Sequence, residues 1–328
     1  MIDSSDISVI VQGGINNYTS NCLIKIRKLL PESQIVLATQ KENNFKNLIY
    51  DDIVLIDDPG STIQDYKMNT YNNVNRQILT TQAGLKKADR RYILKFRTDL
   101  YLETTNFLNY FNVYDIKKNE YTIFKNKILI CNYYTRNPRV VPLPFHPSDW
   151  IMFGNKEDII KYYCDIELQT KEDANWFMKN VKNSKLYFNS LCRFFPEQHI
   201  CLEFLRKHYP VNCNNYYDNS IDNIILTEKF LANNTVIIDY DNISGIIFPK
   251  YNPNRYKDKM TLIKHSDWLI MYNKYTNNKK SIKWYGYLVK TFFLKVCYMH
   301  IYIFLSRLLD FLHIKKFIKS IFNYKKFI

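Results

Sequence analysis

The chain of 328 residues is expected to fold as an α/β protein, a mostly parallel sheet flanked by helices, followed by a basic amphipathic helical extension. Three observations predict this. Strand and helix patterns alternate from residue 7 to residue 99. The stretch RYILKFRTDLYLET (91–104) reads as a strand that ends in charge. Positive charge gathers with apolar periodicity in residues 279–328.

Taken in order, ISVIVQGG (7–14) is a β-rich run closed by two glycines. Tyr18 to Leu30 has helical spacing at Cys22, Ile26 and Leu29 or Leu30, and Pro31 ends it. QIVLAT (34–39) and IVLID (53–57) are further strands. After DDPG (57–60), NNVNRQILTTQAGLKKA suggests a helix through Val74, Ile78, Ala83 or Leu85, and Ala88, which feeds through Asp89-Arg90 into the strand at 91–104. Strand, helix, strand in repetition means βαβ units and parallel pairing. In the second half, KNKILICNYY and WIMFG read as strands and PLPFHPSD as a proline-rich loop. NKEDIIKYYCD and PEQHICLEFLRKHY (196–209) read as helices, the latter with Pro196 in its first turn. TVIIDY and GIIFP are short strand-like pieces in an Asn- and Tyr-rich region, 210–278, whose order the sequence leaves open.

With 46% hydrophobic and 16% aromatic residues the chain can build a real core, so disorder is excluded. Net charge is +15, but unevenly placed: residues 279–328 hold 11 Lys/Arg against one acid, Asp310, leaving 35 of 46 basic residues against 30 of 31 acidic ones elsewhere. A nucleic-acid binder would interleave that charge with stacking aromatics in a groove, whereas here it sits among Leu, Phe and Ile; no nucleic-acid partner is expected. Seven scattered cysteines with no CxxC pair point to a reducing compartment and away from a disulfide framework or a zinc site. MIDSSD passes directly into ISVIVQG, without the basic and apolar regions of a secretory signal.

Alternation sets Lys95 and Arg97 on one face of the 91–104 strand, where two unpaired cations would be costly to bury, so an anion should sit there. In open α/β sheets ligands bind beyond the carboxyl ends of strands, and Arg97-Thr98-Asp99 is at such an end. A phosphate-bearing ligand, with or without a metal, fits that position.

Arg76 precedes Asp99 by 23 residues, joined by a helix and a strand, and this segment resembles the nucleotide-sugar half of GT-A glycosyltransferases. QGGI, IDDPG, NNVNRQI, KFRTDL, ICNYYTR, FHPSDW and FPEQHI, in that order across residues 7–208, resemble the WavE-type lipopolysaccharide-synthesis proteins. The resemblance implies a GT-A-like catalytic domain, residues 1–278, moving a sugar from a nucleotide-activated donor onto a lipopolysaccharide or other surface-glycan acceptor. The donor would lie near Gln12, Asn75, Arg76, Lys95, Arg97, Asp99 and Trp150. Arg76 and Arg97 are forked cations suited to phosphate. Asp99 is the candidate ligand for a divalent cation, Mn or Mg, but Arg97 stands where the family's Asp-x-Asp motif has its first Asp, and that Arg could itself neutralise phosphate. Glu197, at a helix start, is the favoured base for the acceptor hydroxyl; Asp149 is a sugar-hydroxyl ligand, with His146 beside it as a further catalytic candidate. The His-Pro pair at 146–147 also resembles metal-independent sialyltransferases that use CMP-sialic acid, which is the alternative donor.

Residues 279–328 are expected to form a basic amphipathic tail on an anionic membrane, placing the enzyme on the cytoplasmic face of the inner membrane beside a lipid-linked acceptor. Lys315, Lys316, Lys319 and Lys326 fall on one helical side, with Ile314, Phe317, Ile318 and Ile321 largely on the other. The most apolar run, Thr291 to Ser306, is 16 residues, short of the roughly 20 that span a bilayer.

Overall fold

The computed structural model describes residues 2–41, 44–65, 70–180, 190–241, 245–249, 256–277, 281–305 and 308. The expected Lys-rich helix around 314–326 lies outside these. Seven strands form the central sheet: β1 (Ile7–Gln12), β2 (Gln34–Gln40), β3 (Asp52–Ile56), β4 (Tyr92–Arg97), β5 (Ile128–Cys131), β6 (Met152–Asn155) and β7 (Thr235–Ile238). Their spatial order is β7-β5-β6-β4-β1-β2-β3. The main helices are α1 (Thr19–Leu29), α2 (Val74–Lys87), α3 (Lys156–Tyr163), α4 (Pro196–Leu205), α5 (Ile221–Asn234), α6 (His265–Asn277) and α7 (Ile282–Lys295).

The α/β class is as expected, and the strands in the first half run parallel because each is joined to the next by a crossover rather than a hairpin. Every residue of β1 and β2 is buried, which is why ISVIVQ and QIVLATQ read as near-continuous apolar runs instead of alternating ones. α2 packs across β1, β2 and β3. It comes so close that a Cβ on Gly84 would lie 2.5 Å from Cγ2 of Ile10.

β6 departs from the parallel order. It pairs antiparallel with both β4 and β5, with Lys95 opposite Met152. Its beginning therefore lies at the same sheet edge as the ends of β1 and β4. That reversal carries the FHPSDW loop, which leads into β6, to Arg97 and Asp99.

The helix that begins at Ile282 packs on the body. Trp284 and Tyr287 of α7 belong to the main core. The helix starts nine residues before the apolar run identified in the sequence and continues to Leu305, 24 residues in all, with a mean hydropathy of 1.5 over its most apolar window. By length and composition alone this helix is long enough to cross a membrane, unlike the 16-residue run read in the sequence.

Candidate active site

Two clefts meet at the carboxyl edge of the sheet. The first, of 510 Å³, is lined by Gln12, Gly13 and Asn16 after β1, Asp58 and Arg76 near α2, and Arg97, Thr98 and Asp99 after β4. Gly13 sits at φ +124°, and a Cβ there would crowd Thr98 Oγ1 at 3.0 Å, so the backbone of the QGG turn lies open to the cleft. The second cleft, of 430 Å³, is lined by His146, Asp149 and Trp150 from the loop before β6 and by Glu197 from the first turn of α4. Asn73, Gln77 and Arg97 line both.

Arg97 is the shared wall. Its Nε and Nη2 donate to the two carboxylate oxygens of Asp99, each at 2.9 Å, and its guanidinium lies 4.1 Å from the centre of the Trp150 ring. Trp150 stacks on Tyr134 at 4.9 Å and 17° between planes, and Arg136 lies 4.7 Å over the far ring. The result is a ladder of guanidinium, indole, phenol and guanidinium, which fixes two cations without long tethers. Tyr134 and Phe145 both adopt left-handed backbone, at φ +67° and +55°, on either side of this loop cluster. Strain of that kind costs about 1–3 kcal/mol per residue and persists where surrounding contacts enforce it.

Arg76 pairs with Asp58 through two bonds of 2.6 and 2.7 Å and donates to Asn73. The carboxylate holds the guanidinium at the cleft wall, and the Arg keeps Asp58 below its usual pKa.

Glu197 sits at the second position of α4, buried. Its Oε1 accepts from Trp150 Nε1 at 3.3 Å, and its Oε2 stands 3.6 Å from His146 Nε2. The other ring nitrogen, Nδ1, lies 3.0 Å from the carbonyl oxygen of Tyr134. A carbonyl can only accept, so the proton belongs on Nδ1 and the lone pair of Nε2 faces Glu197. Burial first, and then the charge of Arg136, lower the His146 pKa from 6.5 to about 3, so the ring is neutral. Burial raises the pKa of Glu197. A carboxyl group raised in pKa thus faces a neutral imidazole across 3.6 Å, a pairing that suits proton transfer.

Not every expected residue faces a cleft. Lys95 is fully buried, donates to the Asp149 backbone carbonyl and stands 3.4 Å from Asp149 Oδ2. The anion expected beside it is thus a side chain of the protein itself, and Lys95 is not a donor contact. Burial pushes Lys95 down and Asp149 up, while their mutual attraction opposes both shifts. Asn75 is also corrected: its amide bonds the backbone of Gln169 in both directions, tying α2 to the loop after α3.

The described residues form no all-protein cage for a divalent cation. Both Asp99 oxygens are held by Arg97, and among the described residues no group of three His, Cys, Asp or Glu side chains is placed to hold a metal. Asp99 offers one carboxylate, already engaged by Arg97, so a Mn or Mg there would be held chiefly by the phosphates of a bound donor.

Nothing in the sequence alone points to Arg136, Tyr134 or Gln77. Tyr134 and Arg136 lie in the ICNYYTR motif and Gln77 in NNVNRQI, but no spacing rule connects them to Glu197. Gln77 lines both clefts, and its Nε2 is buried with no hydrogen-bond partner among the described residues.

No curated protein matches the chain. Among solved structures, the crystal structure of S. aureus TarS is similar to 97% of this chain, at 12% identity and a TM-score of 0.34. The chain spans 54% of the length of that structure, about half. A profile described as WavE lipopolysaccharide synthesis matches residues 7–301, well beyond the 7–208 over which the motifs are legible. With nearly the whole length matched, the chain belongs to the WavE lipopolysaccharide synthesis family.

Proposed function

We propose that the protein is a glycosyltransferase of cell-surface glycan synthesis, with a GT-A-like arrangement of donor and acceptor sites. The nucleotide of the donor occupies the Gln12–Asp99 cleft, its phosphate lies against Arg97 and Arg76, and the sugar extends past Trp150 and Gln77 into the second cleft. The acceptor hydroxyl approaches Glu197. The observation that carries this reading is that Arg97 walls both clefts while Glu197 lines the second, so a leaving phosphate and a proton acceptor flank one space.

In the reaction the acceptor oxygen bonds the anomeric carbon as the bond from that carbon to phosphate breaks. Glu197 takes the hydroxyl proton, His146 Nε2 accepts a hydrogen bond from the protonated carboxyl, and the guanidinium groups neutralise the departing phosphate. Asp149, held by Lys95, offers a carboxylate oxygen to a sugar hydroxyl. A second donor is supported by one observation: Asp99 is engaged by Arg97, which suits a metal-independent transfer from CMP-sialic acid. Thermal-shift titration with UDP-, GDP-, dTDP- and CMP-sugars tests the reading and separates the donors, because a bound ligand raises apparent stability by mass action.

A further inference from the structure

α7 and the π-helical segment that continues it, Val296–Tyr302, present two different faces. On one, Trp284, Tyr287, Thr291 and Met299 are buried. The Tyr287 hydroxyl accepts from Asn137 Nδ2 at 3.1 Å, and Lys290 pairs with Asp267 at 2.6 Å, so the first turns of the helix are fastened to the body. On the other face Ile282, Tyr285, Val289, Phe292 and Phe293 recur at helical spacing and all point outward, Phe292 and Phe293 with 63% and 62% of their surface exposed. Ile301, Phe304 and Leu305 extend the exposed apolar surface. Nine of the 20 exposed large apolar side chains among the described residues lie between 282 and 308; scattered ones need no explanation, but a continuous stripe does.

Charge selects the occupant. Lys283 and Lys295 are exposed along the stripe, and residues 279–328 carry 11 basic residues against one acidic. Two copies of such a face repel each other, whereas anionic headgroups attract it. Tyr298 of the same helix lines the second cleft together with His146 and Glu197, and packs with Val141 and Leu143. We infer that the outer face of α7 seats in the headgroup region of an anionic bilayer, with the helix lying along the surface, so that the second cleft opens beside the membrane. Resting on the glycosyltransferase reading, this makes the acceptor a membrane-borne glycan whose hydroxyl reaches Glu197 from the lipid side.

The test is flotation of the full chain with phosphatidylcholine vesicles and with vesicles also containing phosphatidylglycerol, before and after a high-salt wash. The wild type should float with the anionic vesicles and keep a salt-resistant bound fraction. F292D/F293D should lose that fraction at least tenfold while retaining its far-UV circular dichroism and its melting temperature. Release of all wild-type protein by salt, or equal retention by the variant, overturns the inference. So does light scattering that shows a wild-type dimer which the variant dissociates, since the face would then be covered by a second copy. The vesicle readout uses no nucleotide, so a failure here is separable from failure of donor binding.

Discussion

The carboxylate of Glu197 and the imidazole of His146 face each other across 3.6 Å, the first raised in pKa by burial and the second lowered to about 3. The proposed mechanism needs Glu197 ionised and His146 neutral. Activity should therefore rise with pH through a single group titrating above the ordinary carboxylate range, with no histidine limb. A pH–rate profile checks this, and a limb near 6.5 that disappears in His146→Asn would assign the base to the histidine instead.

Glu197→Gln should lower kcat by about 10²–10⁴-fold, the usual contribution of a positioned base, and leave donor affinity within a few-fold of wild type. Steady-state kinetics with a donor-binding titration separate the two effects. Loss of donor affinity in this variant would move Glu197 from the acceptor side to the donor side.

His146 also affects stability. Its folded pKa lies below its unfolded value, so its contribution is fully present above pH 6.5 and is lost as pH falls from there toward 3. Glu197 and Asp149, raised by burial, act in the opposite sense, contributing most where they are protonated and losing it as pH rises through their folded values. The fall in Tm from neutral to mildly acid pH should accordingly be smaller in His146→Asn than in wild type. An unchanged fall would mean that other groups govern acid sensitivity, such as His199, whose pKa burial also lowers.

Lys95→Met should destabilise the fold by about 3–5 kcal/mol, because it leaves the Asp149 carboxylate buried without its cation. Lys95→Met combined with Asp149→Asn should recover much of that loss, yet not the activity. Denaturant melts of the single and double variants give the coupling. Additive losses would show that the pair does not act as a unit.

These residues also mark how far the sequence could be read. β1 and β2 were legible because full burial in a parallel sheet leaves apolar runs, half-buried β3 because of its β-branched run IVLI, and α2 because Val74, Ile78 and Leu85 recur at helical spacing on its buried side. Arg97, Asp99, His146, Asp149 and Glu197 were legible as charge where an apolar pattern stops. The partner of Lys95 was not, because it is set by the antiparallel course of β6, and a four-residue strand carries no mark of its direction. The aromatic ladder through Tyr134 and Arg136 was hidden for a related reason: it is a tertiary stack between two loops, and stacking leaves no periodicity. The outer stripe of α7 was readable as apolar, but which of its sides faces the body depends on Trp284 and Tyr287 entering the core.

The most direct measurement is a thermal-shift titration of the nucleotide-sugar panel, with EDTA present, on wild type, Arg97→Ala and Glu197→Gln. The account predicts that one nucleotide class raises the Tm of wild type and Glu197→Gln alike. Arg97→Ala should bind it roughly 10- to 100-fold more weakly, the loss of about 1.5–3 kcal/mol expected for charge-assisted bonds to phosphate. Stabilisation of Arg97→Ala equal to that of wild type, or no stabilisation by any member of the panel, would contradict it.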